Sequence, residues 1–261
     1  MSDFVGQYGP WAFVSGASAG LGEGFARALA AKGLNVVLAA RREERLQALA
    51  AELEQDHGIQ TRVVAVDLGS EDFLQDVAEK TADLEVGLLI NNAGFTNSGD
   101  FLDNPLDKEL LLVHVNIRAA MMLAHHFGQA MRQRRRGGMI FSASIAGHAA
   151  IPFWANYSAS KAYDLLLAEA LGSELAKDNV DVLALCPGAT RTEFEDYSGF
   201  FASIMAMGPD KVISQALNKL GKRRTTVVGA INLMTVLSYR LVPRRMAAWL
   251  AGKVIRDMVS H

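Results

Sequence analysis

The sequence predicts an α/β protein: a doubly wound parallel sheet of about seven strands with helices on both faces, folded as a single domain over residues 1–261. Three observations carry that expectation. Apolar runs of strand length, continuous rather than alternating, recur at 12–15, 35–40, 62–67, 86–91, 138–143, 180–186 and 225–228, as in strands buried on both faces. Between them lie segments whose apolar residues return every three or four positions, the period of an amphipathic helix. The first run also leads directly into Gly16, Gly20 and Gly22, a glycine turn that opens a helix.

Each element has its own signature. After strand 12–15, the glycines let backbone approach a phosphate, because no Cβ intervenes and the free N–H groups of a helix start favour an anion. Leu21, Phe25 and Leu29 then recur at helical spacing, and Gly33 stands just past that helix, where a left-handed cap residue is wanted. Strand 35–40 precedes helix 43–57, which carries Leu46, Leu49 and Leu53 on one face and is closed by Gly58. Strand 62–67 follows. Ser70 is expected to cap a helix bearing Phe73 and Val77, ahead of strand 86–91. A long helix starts near Pro105, with Leu106, Leu110, Val113 and Ile117 as its stripe. Strand 138–143, helix 157–177 and strand 180–186 complete the alternation. The glycine turn, Asp67, residues 91–94, Ser144 and residues 187–188 all fall at carboxyl ends of strands, where such sheets bind ligands.

Composition narrows the function classes. With 28 acidic and 26 basic residues, no net field draws the chain to nucleic acid or to an anionic membrane. Half of its residues are hydrophobic, enough for a full core. The lone Cys186 leaves no internal disulfide and fits a reducing, cytoplasmic compartment. Residues 1–10 lack the basic start and apolar run of a signal peptide. The apolar run 227–237, broken by Gly229 and Asn232, is too short to span a bilayer. His125 and His126 are adjacent and point to different parts of a helix surface, so no metal site is expected. The basic run 132–136 is expected to end the long helix, where cations complement the dipole.

The end of the second strand selects a cofactor. A carboxylate there would hold the adenosine ribose hydroxyls of NAD. Here the chain reads Ala39, Ala40, Arg41, Arg42, with no carboxylate before Glu43. An acidic group would repel a 2′-phosphate, whereas a guanidinium grips it through paired, charge-assisted hydrogen bonds. The expected cofactor is therefore NADP(H) in preference to NAD(H), with Arg41 the main contact and Arg42 a second. Asp67, followed by Leu68, is placed to accept from the adenine amino group; a strand-end turn aspartate explains it equally well.

Tyr157 and Lys161 sit four apart and share a helix face. A free tyrosine, with a pKa of about 10, is a poor proton donor and acceptor near neutrality, and lowering it by three units takes roughly 4 kcal/mol. One ammonium about 4 Å away supplies roughly that at an effective dielectric of 20. Ser144, thirteen residues before Tyr157, is placed to hold a substrate oxygen. Asn116 lies inside the long helix, where asparagine is an indifferent helix former; there it can bind a water that passes protons between Lys161 and solvent.

Together these features resemble the short-chain dehydrogenase/reductase family. The matching stretches are 15–22 (Ser-Gly-Ala-Ser-Ala-Gly-Leu-Gly), 91–94 (Asn-Asn-Ala-Gly), Asn116, 142–144 (Ser-Ala-Ser), 157–161 (Tyr-Ser-Ala-Ser-Lys), and 187–188 (Pro-Gly) followed by Thr192. The resemblance covers roughly residues 10–195 and implies a Rossmann-type fold, with catalytic roles for Ser144, Tyr157, Lys161 and Asn116. It implies a nicotinamide dinucleotide held by Gly16, Ser18, Gly20, Leu21 and Gly22. Asn92, Ala93, Gly94, Pro187, Gly188 and Thr192 would line the rest of the cofactor, with Tyr157 and Lys161 at the nicotinamide ribose. It also implies a homodimer or homotetramer. The expected reaction passes hydride between nicotinamide and a carbonyl carbon while Tyr157 exchanges a proton with the oxygen, reduction being the favoured direction.

The remainder is less patterned. Residues 189–225 are read as a substrate lid, whose Phe194, Tyr197, Phe200, Phe201, Ile204, Met205 and Met207 suit an apolar ketone, aldehyde or 3-oxoacyl substrate, or else pack on the sheet. Phe153 and Trp154 are candidates for the same pocket or for core. The segment 230–261 is a variable helical tail whose plainest reading is a solvated basic face; a helical pair on the body, a subunit contact and a weak membrane-surface helix are alternatives. Two other functions compete: a catalytically silent, NADP(H)-binding sensor or scaffold, and a sugar-nucleotide epimerase or dehydratase. Intact Ser144, Tyr157, Lys161 and Asn116 argue against the first, and the glycine spacing, three residues and then one, against the second.

Overall fold

The computed structural model describes residues 4–191 and 206–259. Seven strands, β1 (Trp11–Ser15), β2 (Asn35–Ala40), β3 (Thr61–Ala65), β4 (Val86–Asn91), β5 (Gly137–Ser142), β6 (Val180–Cys186) and β7 (Thr225–Val227), form one sheet in the order β3-β2-β1-β4-β5-β6-β7. Every pairing is parallel. The order reverses between β1 and β4, so a crevice opens at the carboxyl ends of those strands.

The described helices are α1 (Phe4–Tyr8), α2 (Gly20–Ala30), α3 (Glu43–His57), α4 (Phe73–Thr81), α5 (Leu106–Val113), α6 (Ala120–Arg134), α7 (Ala155–Glu174), α8 (Pro209–Lys219), α9 (Ala230–Leu241) and α10 (Arg244–Val259). Alternate strand residues point to opposite faces, which divides the core in two. Ala12, Val14, Leu38 and Ile90 meet Phe25 and Leu29 of α2, Leu46 of α3 and Leu217 of α8. Phe13, opposite Val37 and Leu89 in the sheet, meets Phe73 of α4, Phe127 of α6 and Leu165 of α7 on the other side. Gly33 (φ 86°) and Gly58 (φ 64°) take the left-handed conformations expected past α2 and α3.

Several elements differ from the sequence reading. β3 stops at Ala65, which leaves Asp67 in the following turn. Ser70 does not cap α4, which starts after Asp72; its N–H instead closes the turn on the Asp67 carbonyl at 3.0 Å. The long helix is interrupted by a π turn over His114–Ala119 between α5 and α6. The expected stripe is not the buried one: Leu106 and Leu110 are exposed, whereas Leu112 of α5 and Leu123, Phe127 and Met131 of α6 are buried. The 106–134 stretch is long and apolar enough to cross a membrane, but here α6 packs along β4 and β5. The basic run at its end is a clamp. Arg132 pairs with Asp178 at 3.2 Å, Arg134 donates to the Val86 carbonyl at 2.8 Å, and Arg136 pairs with Glu85.

Of the predicted lid, 209–219 is α8, whose Val212 and Leu217 join the core beside α2. Thr192, Phe194, Tyr197, Phe200, Phe201, Ile204 and Met205 lie outside the described residues. The ends of that connection are held together by the Thr190–Met207 bridge, with Met207 N donating to the Ala189 carbonyl at 3.0 Å. The tail is a helical pair. Arg244, Arg245, Lys253 and Arg256 are exposed, yet Ala251 and Ile255 of α10 are buried against Ile151, Phe153 and Tyr157. The basic face and the packed helix are therefore two sides of one element.

Candidate active site

The glycine turn is built for close approach. Gly16 (φ 69°) and Gly20 (φ 57°) use left-handed conformations, and a Cβ on Gly22 would lie 2.1 Å from the Gly16 carbonyl oxygen, so no other residue fits. Ser15 ties this turn to the end of β4: its hydroxyl accepts from the N–H groups of Asn92 and Ala93 at 2.9 and 3.0 Å and donates to the Ile90 carbonyl. Asn92 extends the tie to β5, donating to the Ser15 carbonyl and accepting from the Ser142 hydroxyl, both at 3.2 Å.

The residues fit an anionic dinucleotide. The cap residue of α2, Ala19, makes no side-chain hydrogen bond, so the first-turn N–H groups of α2, beside Leu21, keep their affinity for a phosphate. Arg42 reaches the same loop, its Nε donating to the Ser18 hydroxyl at 3.1 Å and a terminal nitrogen to the Ser18 carbonyl at 3.2 Å. Arg41 is exposed beside it at the end of β2. Asp67 accepts from the Gly69 N–H at 2.9 Å, the turn role, and Leu68 is buried. Pro187 accepts from the Ile145 N–H at 3.0 Å, and the side chain of Asn232 on α9 closes over Gly188.

The chemistry-bearing residues meet at the end of β5. Ser144 caps a single 3₁₀ turn, Ile145–His148, by accepting from the Ala146 N–H at 3.1 Å. The same hydroxyl donates to the Pro187 carbonyl at 3.5 Å and adjoins the Tyr157 phenol. Trp154 walls the phenol, the two rings meeting edge-on at 5.7 Å, and its indole N–H donates to Ser98 at 2.9 Å. Phe153, in a left-handed conformation (φ 66°), lies beneath the Arg256 guanidinium.

Asn116 sits in the π turn and is fully engaged as a donor. Its amide nitrogen donates to the Phe95 carbonyl at 2.9 Å and to the Ser160 hydroxyl at 3.1 Å, while its oxygen accepts from the Phe95 N–H at 3.1 Å. Its side chain is thus a brace first; only the second lone pair of its oxygen, which faces Gly94, is left for a proton path. Glu109 of α5 is buried and accepts from Asn104 at 2.9 Å and Asn156 at 2.6 Å, which anchors the loop after β4 beside Tyr157.

Lys161 has a partner that the spacing argument missed. Its ammonium donates to the Ser142 carbonyl at 2.7 Å and to Asp164 at 3.0 Å, with side chains only 7% and 4% exposed. Asp164 follows Tyr157 and Lys161 at positions seven and three later, so it shares their helix face; that spacing was the available signal. The electrostatic consequence corrects the expectation of a lowered phenol. Burial pushes Tyr157 above its ordinary pKa; Lys161 and the neighbouring Ser144 hydroxyl pull it down, and Asp164 pushes it up again. Burial alone would lower Lys161, but Asp164 and Tyr157 hold it above its usual value.

Comparison with known proteins adds four findings. Residues 10–199 match the family model for short chain dehydrogenase. The chain is 34% identical over 233 residues to a 7beta-hydroxysteroid dehydrogenase of Clostridium sardiniense, covering 88% of this chain and 89% of that protein. A solved structure from work on 7beta-hydroxysteroid dehydrogenase stereoselectivity superposes with a TM-score of 0.89 at 28% identity, over 95% of this chain and 98% of the other. A short-chain dehydrogenase from Sphingobium yanoikuyae, solved in complex with NADPH, gives 0.79 at 30% identity, over 89% and 94%.

Proposed function

The chain belongs to the short-chain dehydrogenase family and is a hydride-transfer oxidoreductase acting on alcohol and carbonyl groups; from that premise we propose that it is an NADP(H)-dependent reductase of a bulky, apolar, polycyclic ketone. The observation that carries the reading is the Tyr157 hydroxyl, beside Ser144 and one helical turn from Lys161, at the carboxyl end of β5.

Bound in the crevice, NADPH supplies the hydride. Gly16, Ser18, Gly20, Leu21 and Gly22 would hold its pyrophosphate, and Arg41 with Arg42 its 2′-phosphate. Ser144 and Tyr157 bind the carbonyl oxygen from one side, and the Tyr157 phenol transfers its proton to that oxygen as the alcohol forms. Lys161 stabilises the phenolate left behind, and Asn116 fixes Ser160 and the 94–95 backbone around it. Trp154, Phe153 and the inner face of α10 make an apolar wall next to the phenol, which suits a fused-ring substrate. Support for that substrate class comes from the hydroxysteroid dehydrogenase names of the relatives, and support for NADP(H) from Arg41, Arg42 and the NADPH-bound neighbour.

Initial rates with NADPH across ketones of rising size, from cyclohexanone to oxo-steroids, test the proposal. Rates should climb toward the fused-ring compounds; a preference for small or polar carbonyls contradicts it.

A further inference from the structure

We infer that Asp164 is a positioning residue: its carboxylate fixes the Lys161 ammonium and cancels part of its charge, so that Tyr157 is held as a proton donor. The inference rests on the proposed role of Tyr157 and adds the device that sets its direction.

The geometry is specific. Asp164 Oδ2 and the Ser142 carbonyl take two of the three ammonium hydrogens, at 3.0 and 2.7 Å. Gly94 adjoins the same ammonium: a side chain there would begin 3.5 Å from Lys161 Nζ. Asp164 Oδ1 is buried and has no hydrogen-bond partner among the described residues. Burying a half-satisfied carboxylate is costly; here it stands against the Lys161 ammonium, whose other printed acceptor is the Ser142 carbonyl, so its charge acts directly on that ammonium.

The other titratable groups packed around this cluster are accounted for. The Cys186 thiol, on β6, is pushed up to about 12 by burial and stays neutral. Glu169, one turn along α7, accepts from the Thr225 hydroxyl at 2.6 Å. Glu109 of α5 is held by Asn104 and Asn156. Tyr163 adjoins Asp164 on α7, His148 ends the 3₁₀ turn packed on α7, and Arg256 of α10 lies over Phe153. Lys161 and Asp164 thus face Tyr157 as a charge-neutral pair.

Reduction uses the phenol and oxidation the phenolate. The pair leaves the equilibrium constant of the reaction untouched, but it moves the pH at which the site changes from donor to acceptor, and it moves it upward.

Phenolate absorbance tests this without turnover. In the cofactor-free chain, the difference between titrations of the wild type and Tyr157→Phe isolates Tyr157 among the five tyrosines. Asp164→Asn should lower the Tyr157 midpoint by about one pH unit or more. Asp164→Leu, which removes the carboxylate without placing an amide there, should do the same. Asp164→Glu should restore the wild-type midpoint. An unchanged or raised midpoint in the Asn and Leu variants overturns the inference. Failure of the wild type to reduce any ketone would instead overturn the proposed function and leave this titration readable.

Discussion

Arg42 Nε lies 3.1 Å from the Ser18 hydroxyl, so the end of β2 is fastened to the glycine loop by a guanidinium. Where an NAD site places a carboxylate, this chain places two cations, and one of them already bridges the segments that would flank a 2′-phosphate.

Arg41 is the cleaner target, because Arg42 also supports the loop. Hydrogen bonds to a charged group are worth about 1.5–3 kcal/mol, or about 10- to 150-fold. Arg41→Ala should raise the KM for NADPH by that factor and leave the KM for NADH unchanged. Equal losses with both cofactors would show that Arg41 does not read the phosphate.

Ser15 gives a stability prediction. Its hydroxyl satisfies the Asn92 and Ala93 N–H groups and is 1% exposed. Ser15→Ala leaves both donors without an acceptor and should cost about 2–3 kcal/mol, read as a lower urea midpoint with an unchanged slope. Ser15→Thr keeps the hydroxyl and should stay within about 1 kcal/mol of the parent. Equal stability of all three proteins would remove the clamp from the account.

Much of this arrangement is legible in the sequence, for local reasons. Buried parallel strands write themselves as continuous apolar runs, the turn after β1 needs glycines, and Tyr157 and Lys161 meet because helical spacing brings them together. What escaped depends on tertiary context. The π turn that carries Asn116 has no local signature, and α5 turns Glu109 and Leu112 inward rather than Leu106 and Leu110. The inward face of α10 is visible only once Ile255 is seen against Tyr157. Asp164 was within reach of the same spacing rule that found Lys161, but an acidic residue three past a lysine reads as a surface ion pair until both prove buried.

The pH dependence follows from Tyr157, whose pKa burial raises. A proton donor must be protonated, so kcat/KM for reduction should be flat through neutral pH and fall tenfold per unit above the Tyr157 pKa. Oxidation should rise with pH toward the same midpoint. The linkage has the matching sign: a folded pKa raised above the unfolded value of about 10 leaves stability intact below pH 10 and reduces it as pH rises through the folded value. Reduction that falls off between pH 6 and 8 would contradict a raised phenol.

Tyr157→Phe shows whether the Tyr157 phenol donates the proton. The variant should bind NADPH as the parent does, by fluorescence titration, while kcat for ketone reduction drops by about 10²- to 10⁴-fold. Unchanged turnover with intact NADPH binding would contradict the account.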